Sequence, residues 1–258
     1  MKLIAILVVS FGTTYPKTRR KTIGAIENKF KERFPQAEIF RAFTSTVVIS
    51  KIAQKESLQI DTPIEALRKI KKHQFRKVYI QPLHIIPGIE FHRLLQQARQ
   101  FEGNFEQMVI GQPLLSSYED YVHIIKFLKN IKSFSDPNEA ILFMGHGTSS
   151  QSFTAYACLD HMLTGSRHYL GAVESFPNIG FEINRLKKDH VSKVTIQPFM
   201  IVAGNHAHHD MASEESKSWR HLLEKEGIQV KTQLKGLGEY PFIQKMFINH
   251  LINKLKEG

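Results

Sequence analysis

The sequence predicts an α/β fold of two similar halves, each a parallel sheet doubly wound with helices, and an active-site cleft between them. Three observations lead there. Short apolar runs alternate with amphipathic helical patterns along the 258 residues, and strands joined through helices run parallel. Lys77-Val78-Tyr79-Ile80-Gln81-Pro82 returns as Lys193-Val194-Thr195-Ile196-Gln197-Pro198, an offset of 116 residues. Finally, the apolar run Ala140-Ile141-Leu142-Phe143-Met144 stops at Gly145-His146-Gly147. That is the pattern of a buried strand reaching the carboxyl edge of a sheet, where open α/β folds place their ligands.

Taken in order, Met1-Lys2-Leu3-Ile4-Ala5-Ile6-Leu7-Val8-Val9 imitates a signal peptide. Its apolar stretch is short, no small-residue cleavage site follows, and it runs into Ser10-Phe11-Gly12-Thr13-Thr14, so it reads as a first buried strand over about 3–10. A helix follows Pro16, with Ile23, Ile26, Phe30 and Phe34 at helical spacing. Its first turn carries Lys17, Arg19, Arg20 and Lys21, whose charge opposes the helix dipole. Either an anionic ligand or open water would relieve that. A strand over 38–43 leads to a helix start with Thr62 as N-cap, Pro63 at N1 and Glu65 at N3. The strand from Lys77 ends in a Pro87-Gly88 turn and a helix with Phe91, Leu94, Leu95 and Ala98 apolar; a strand at 107–110 and a helix at 118–132 complete the half.

Asp136-Pro137 breaks the pattern, and residues 133–138 divide an N-terminal lobe (1–135) from a C-terminal lobe (136–258). The second lobe repeats the plan: helices at 152–163, 178–188, 209–225 and 241–256, and strands at 168–173, 193–200 and 228–233. The echo aligns Gly12-Thr13 with Gly147-Thr148, Ala42-Phe43-Thr44-Ser45 with Ala172-Val173-Glu174-Ser175, and Glu90 with His206. Two such halves facing one another make a cleft, a common ligand site.

Composition narrows the function. The one cysteine, Cys158, allows no internal disulfide and suits a reducing cytoplasm. A formal net charge of +11 favours anionic partners. The cations are spread along the chain without a nucleic-acid signature, and no run is long enough to span a membrane. Gly-x-Gly-x-x-Gly, a P-loop and Gly-x-Ser-x-Gly are all missing, which argues against dinucleotide, ATP and α/β-hydrolase chemistry.

Of thirteen histidines, His73, His123, His190, His221 and His250 stand among polar neighbours and read as surface residues. Asn205-His206-Ala207-His208-His209-Asp210 gathers imidazoles at a helix start, which favours their neutral, metal-binding form. If the sheet is parallel, His146, Glu174 and His206 meet at one edge. Two imidazoles and a carboxylate leave coordination positions open, as an exchangeable metal requires. A core histidine beside a tight turn would give His146 the same sequence context.

Together these motifs resemble the anaerobic sirohydrochlorin cobaltochelatases, the CbiK family of class II chelatases, over nearly the whole chain. The resemblance rests on Ser10-Phe11-Gly12-Thr13-Thr14, Asp61-Thr62-Pro63, Gln81-Pro82-Leu83-His84-Ile85-Ile86-Pro87-Gly88, Met144-Gly145-His146-Gly147-Thr148, Val173-Glu174, Val202-Ala203-Gly204-Asn205-His206-Ala207 and Gly236-Leu237-Gly238-Glu239. It implies a lyase of cobalamin biosynthesis that inserts Co2+ into sirohydrochlorin without a nucleotide cofactor. It maps the metal site onto His146, Glu174 and His206, and the catalytic groups onto His146, Glu90 and His206. Substrate contacts are expected from Ser10, Gly12, Thr13, Thr14, Arg19, Arg20, His84, Pro87 and Gly88, with basic side chains facing the carboxylates of the tetrapyrrole. The same donors accept Fe2+, Ni2+ or Zn2+. A sirohydrochlorin ferrochelatase, another tetrapyrrole chelatase and a non-catalytic tetrapyrrole or metal carrier are the alternatives, and a homo-oligomer stays open.

Overall fold

In the computed structural model, residues 3–257 are described; Met1 and Lys2, ahead of the first expected strand, and Gly258 of the expected C-terminal lobe lie outside them. The chain runs β1 (Ile4–Ser10), α1 (Pro16–Arg19), α2 (Ala25–Arg33), β2 (Ala37–Phe43), α3 (Thr46–Glu56), α4 (Pro63–Lys72), β3 (Lys77–Pro82), α5 (Ile89–Arg99) and β4 (Gln107–Ile110). It continues through α6 (Tyr118–Ile131), β5 (Glu139–Gly145), α7 (Thr154–Met162), β6 (His168–Ala172), α8 (Ile179–Lys188), β7 (Lys193–Pro198), α9 (Trp219–Lys225), β8 (Gln229–Thr232) and α10 (Pro241–Glu257). Every expected strand forms. A π-helical turn, Arg20–Gly24, joins α1 to α2.

Two expectations about helices need correction. α3 has no counterpart in the sequence reading, because its first turn is rich in β-branched residues that favour strands. Ser45 starts it by accepting a hydrogen bond from the Val48 amide, and Ile52 is its buried anchor. The helix expected over 209–225 is two pieces, a π-helical turn at Ala207–Met211 and then α9. Serines make the break: Ser213 Oγ donates to the His209 carbonyl at 2.6 Å, and Ser218 caps α9. Serine side chains compete with the helix for its own backbone groups.

The strands form two four-stranded sheets ordered β2-β1-β3-β4 and β6-β5-β7-β8, with every pairing parallel. The registers repeat as well. Ile4 lies beside Lys77 as Glu139 lies beside Lys193, and Lys77 pairs with Gln107 as Lys193 pairs with Gln229. The 116-residue echo is therefore a structural equivalence. One alignment slips by a residue: Ser10 pairs with Phe43 and Gly145 with Ala172, so Ser45, not Thr44, stands where Glu174 does.

Both faces of each sheet are covered, as a parallel sheet requires. Residues 5–10 of β1 and 140–145 of β5 are buried throughout. On the first sheet, Ala5, Leu7 and Val9 pack with Leu67 and Ile70 of α4 and with Leu94 of α5. The other face carries α2 and α10, with Phe30, Phe247 and Leu251 fully buried. On the second sheet, Leu142 and Met144 pack with Leu186 of α8, Leu223 of α9 and Met211. Each such side chain contributes about 1.5–3 kcal/mol on burial. Among the described residues no helix is long and apolar enough to cross a membrane.

Two compact units result, residues 1–116 with 238–258, and residues 117–237. This division departs from lobes of 1–135 and 136–258. α6 packs on α7 within the second unit, and α10 packs on α2, β3 and β4 within the first.

Within the second unit, buried Glu182 of α8 lies 3.1 Å from Arg185, which also pairs with Asp160. Burial first, then the Asp160 charge, pushes the Glu182 carboxyl up from 4.5 to about 8, against the pull of Arg185. A raised carboxyl binds more protons folded than unfolded. Its contribution is full below about 4.5 and is lost as pH rises to about 8. E182Q should therefore flatten the fall in thermal stability across that window; a profile parallel to the parent's would refute the assignment. A second expectation concerns the cap of α4, where Thr62 and Glu65 form a reciprocal capping box. T62A should cost about 1 kcal/mol in chemical denaturation.

Candidate metal centre

β5 delivers His146 just past its last residue, and two glycines set its surroundings for different reasons. A side chain at Gly145 would meet the Tyr156 ring at 2.5 Å. Gly147 has φ +89°, and a Cβ there would come within 2.9 Å of the Glu174 and Ser175 amides. The chain after β6 thus passes directly against the glycine. Parallel pairing continues beyond the strands: the Val173 amide donates to the Gly145 carbonyl at 3.1 Å, and the Glu174 amide to the His146 carbonyl at 2.9 Å. That last bond sets the two candidate ligands side by side, with His146 Nδ1 3.6 Å from Glu174 Oε2.

His206 arrives from β7. After Pro198, the Phe199 amide donates to the Met144 carbonyl at 2.7 Å, and residues 201–203 squeeze past Gly236, where a Cβ would sit 2.5 Å from the Ile201 carbonyl. The helical turn then begins, with Ala207 and Met211 fully buried. His206, between Asn205 and Ala207, faces outward. Its Nδ1 lies 2.6 Å from Asp210 Oδ2, and its ring stands edge-on to that of His146, with centroids 4.5 Å apart at 86°.

One donor atom from each of His146, Glu174 and His206 can be chosen so that all lie within 4.8 Å of one another. A first-row ion bound tetrahedrally at about 2.0–2.2 Å from each donor needs separations of roughly 3.3–3.6 Å, so small side-chain rotations would close the set on an ion. The ligand side chains are 40 %, 53 % and 35 % exposed. Exposure on that scale suits an ion that enters and leaves, whereas structural sites close around theirs. Buried Tyr156 lies behind His146. Burial, with the Glu174 charge adding, pushes its phenol up to about 12 while a backbone hydrogen bond at Gly147 opposes, so it stays neutral beside the site. The sequence did not single out Tyr156, and it offered Asp210 only as the end of the histidine cluster; the four-residue spacing of His206 and Asp210 was the available signal for its role. His208 is lowered by burial and then by neighbouring His209.

The remaining expected residues belong to the first unit. Gly12 has φ +96° with Phe43 packed against it, repeating the part Gly147 plays after β5. Ser10 and Thr13 are buried, Thr14 is half-buried and Arg20 exposed. Arg19 is buried, pairs with Glu56 and donates to the Thr13 carbonyl at 3.2 Å, so its charge has a partner within the protein. Both ring nitrogens of His84 are buried, and burial lowers its pKa to about 4, which keeps the ring neutral. Pro87 and Gly88 lead into α5, with Gly88 at the N-cap. Glu90 stands in the first turn of α5, 2.8 Å from Arg93. The His92 amide bonds the Gly88 carbonyl as the His208 amide bonds that of Gly204, both at 3.1 Å, so Glu90 and His206 hold equivalent places.

A family model described as Cobalt chelatase (CbiK) matches residues 4–256. The sirohydrochlorin cobaltochelatase of Salmonella typhimurium is 42 % identical over 249 residues, 96 % of this chain and 94 % of that protein. Sirohydrochlorin cobaltochelatase CbiKC of Nitratidesulfovibrio vulgaris is 29 % identical over 252 residues, 95 % and 88 % of the two chains. Among solved structures, SirB from Bacillus subtilis with Fe3+ superposes with a TM-score of 0.65 at 16 % identity, covering 98 % of this chain and 96 % of SirB. That likeness supports the fold.

Because Gly147 admits the Glu174 segment only without a Cβ, Gly147→Ala should strain the turn by about 1–2 kcal/mol and displace Glu174. Titrating the variant with Co2+ and following its d–d absorption should show affinity at least ~10-fold weaker. Unchanged affinity would mean that Glu174 takes no part in binding.

Proposed function

The chain belongs to the CbiK cobalt chelatase family, and we propose that it inserts Co2+ into sirohydrochlorin, a step of cobalamin biosynthesis, without nucleotide hydrolysis. The observation that carries this reading is the convergence of His146, Glu174 and His206 on one point. Co2+ is the substrate metal here. Two neutral imidazoles and one carboxylate hold it while coordination positions stay open for the macrocycle nitrogens. As the ion crosses to the macrocycle, its bonds to the protein are exchanged for four bonds to pyrrole nitrogens. Two N–H protons leave in the same exchange, so a base is needed.

His146 and Glu90 are assigned that proton transfer. An imidazole that has released the metal regains a lone pair and can take a proton. Glu90 is the carboxylate assigned to the second proton, and its partner Arg93 sits one helical turn along. The net charge of +11 draws a polycarboxylate tetrapyrrole toward the protein. Exposed Arg20 is the arginine assigned to a substrate carboxylate, since Arg19 is already paired with Glu56. Ser10, Gly12, Thr13, Thr14, His84, Pro87 and Gly88 complete the proposed substrate contacts.

Incubation with sirohydrochlorin and excess Co2+, followed by absorption, should give many turnovers per protein; a stoichiometric complex would instead identify a carrier. H146A and H206A should each lower turnover by at least ~100-fold with near-UV circular dichroism unchanged, and full activity in both would overturn the site. Competition among Co2+, Fe2+, Ni2+ and Zn2+ should favour Co2+ in kcat/KM.

A further inference from the structure

We infer that Asp210 is a positioning residue for metal transfer, and that the π-helical turn at Ala207–Met211 places its carboxylate beneath His206. The inference rests on the metal-centre reading above. His206 Nδ1 and Asp210 Oδ2 are 2.6 Å apart, one turn along the same segment. A carboxylate at that nitrogen accepts the Nδ1 proton, so the lone pair lies on Nε2, the atom then available to a metal. Ligating histidines bound in this way have their ring orientation fixed and their basicity raised.

The two units show why the turn is wide. Position 210 is equivalent to Leu94 and position 211 to Leu95, by the same offset that pairs His206 with Glu90. In α5, an ordinary helix, Leu94 is fully buried and Leu95 only partly so. In the π-helical turn the order reverses: Met211 is fully buried and Asp210 is 42 % exposed. The wider turn moves the core contact on by one residue and frees the preceding one to face His206. π turns of this kind are frequent at functional sites. Stability alone is a poor explanation for the pair, since ion pairs this exposed contribute little.

Co2+ titration of the protein alone, monitored by d–d absorption and calorimetry, tests the inference. D210A should weaken Co2+ binding by about 10- to 100-fold and raise KM for Co2+ more than it lowers kcat. D210N, which keeps an acceptor oxygen at the same place, should recover most of the loss. In an H206A background D210A should have no further effect. Equal binding by D210A and the parent while H206A has lost it would overturn the role of Asp210 alone, as would a D210A effect that persists without His206. H206A binding Co2+ like the parent would remove the metal-centre reading and this inference with it. Should D210A fail to fold, long-range 1H–15N spectra of the parent decide: a proton on Nδ1 of His206 supports the inference, and one on Nε2 overturns it.

Discussion

One backbone hydrogen bond organises the candidate metal centre: the Glu174 amide donating to the His146 carbonyl, one step beyond the ends of β5 and β6. It extends parallel pairing past the last strand residues, so two side chains 28 positions apart in sequence leave the sheet edge together. Gly147 makes the approach possible, because its positive φ and missing Cβ leave room for the Glu174 and Ser175 amides. His206 joins them from the neighbouring strand. Main-chain hydrogen bonding at the sheet edge thus holds His146 and Glu174, a helical turn beyond β7 holds His206, and the three side chains stay partly open to solvent.

The first unit carries the same scaffold with different chemistry. Phe11 follows β1 where His146 follows β5, Ser45 stands where Glu174 does, and Glu90 where His206 does. Gly12 and Gly147 share their positive φ, and Gln81 and Gln197 each reach past the sheet to a loop carbonyl, of Gln112 and Lys235. The turns and backbone clamps therefore occur in both units, while among the described residues the candidate metal-ligand set occurs in the second alone. A backbone device is constrained by geometry alone; a set of ligands also needs all three residue types together.

Charge follows a similar division between surface and interior. The chain is strongly basic, and much of that charge lies on exposed helix ends such as the last turns of α4 and α8. Where these cations turn inward they have carboxylate partners: Arg19 takes Glu56, and Arg185 takes Asp160. A buried cation needs such a partner to offset its desolvation. Exposed cations such as Lys71, Lys72 and Lys188 are the ones within reach of a polyanion.

The sequence by itself determined the strands, their parallel sense and the equivalence of the halves, because hydrophobic periodicity and the 116-residue repeat are signals that survive in one dimension. It also singled out His146, Glu174 and His206 as residue types able to hold a metal. Tertiary packing decided the rest. Arg19 reads as a free cation until Glu56, 37 residues on, is brought beside it. The 209–225 segment has helical character throughout, yet Ser213 and Ser218 bond the backbone and break it. α10 follows β8 in the chain but finds its apolar partners on α2, β3 and β4. The one-residue slip that sets Ser45 against Glu174 exists only in the register of paired strands. The bond between His206 and the accepting Asp210 carboxylate depends on which face of a widened turn meets the core. Each of these is a long-range or three-dimensional contact, and linear spacing holds no record of it.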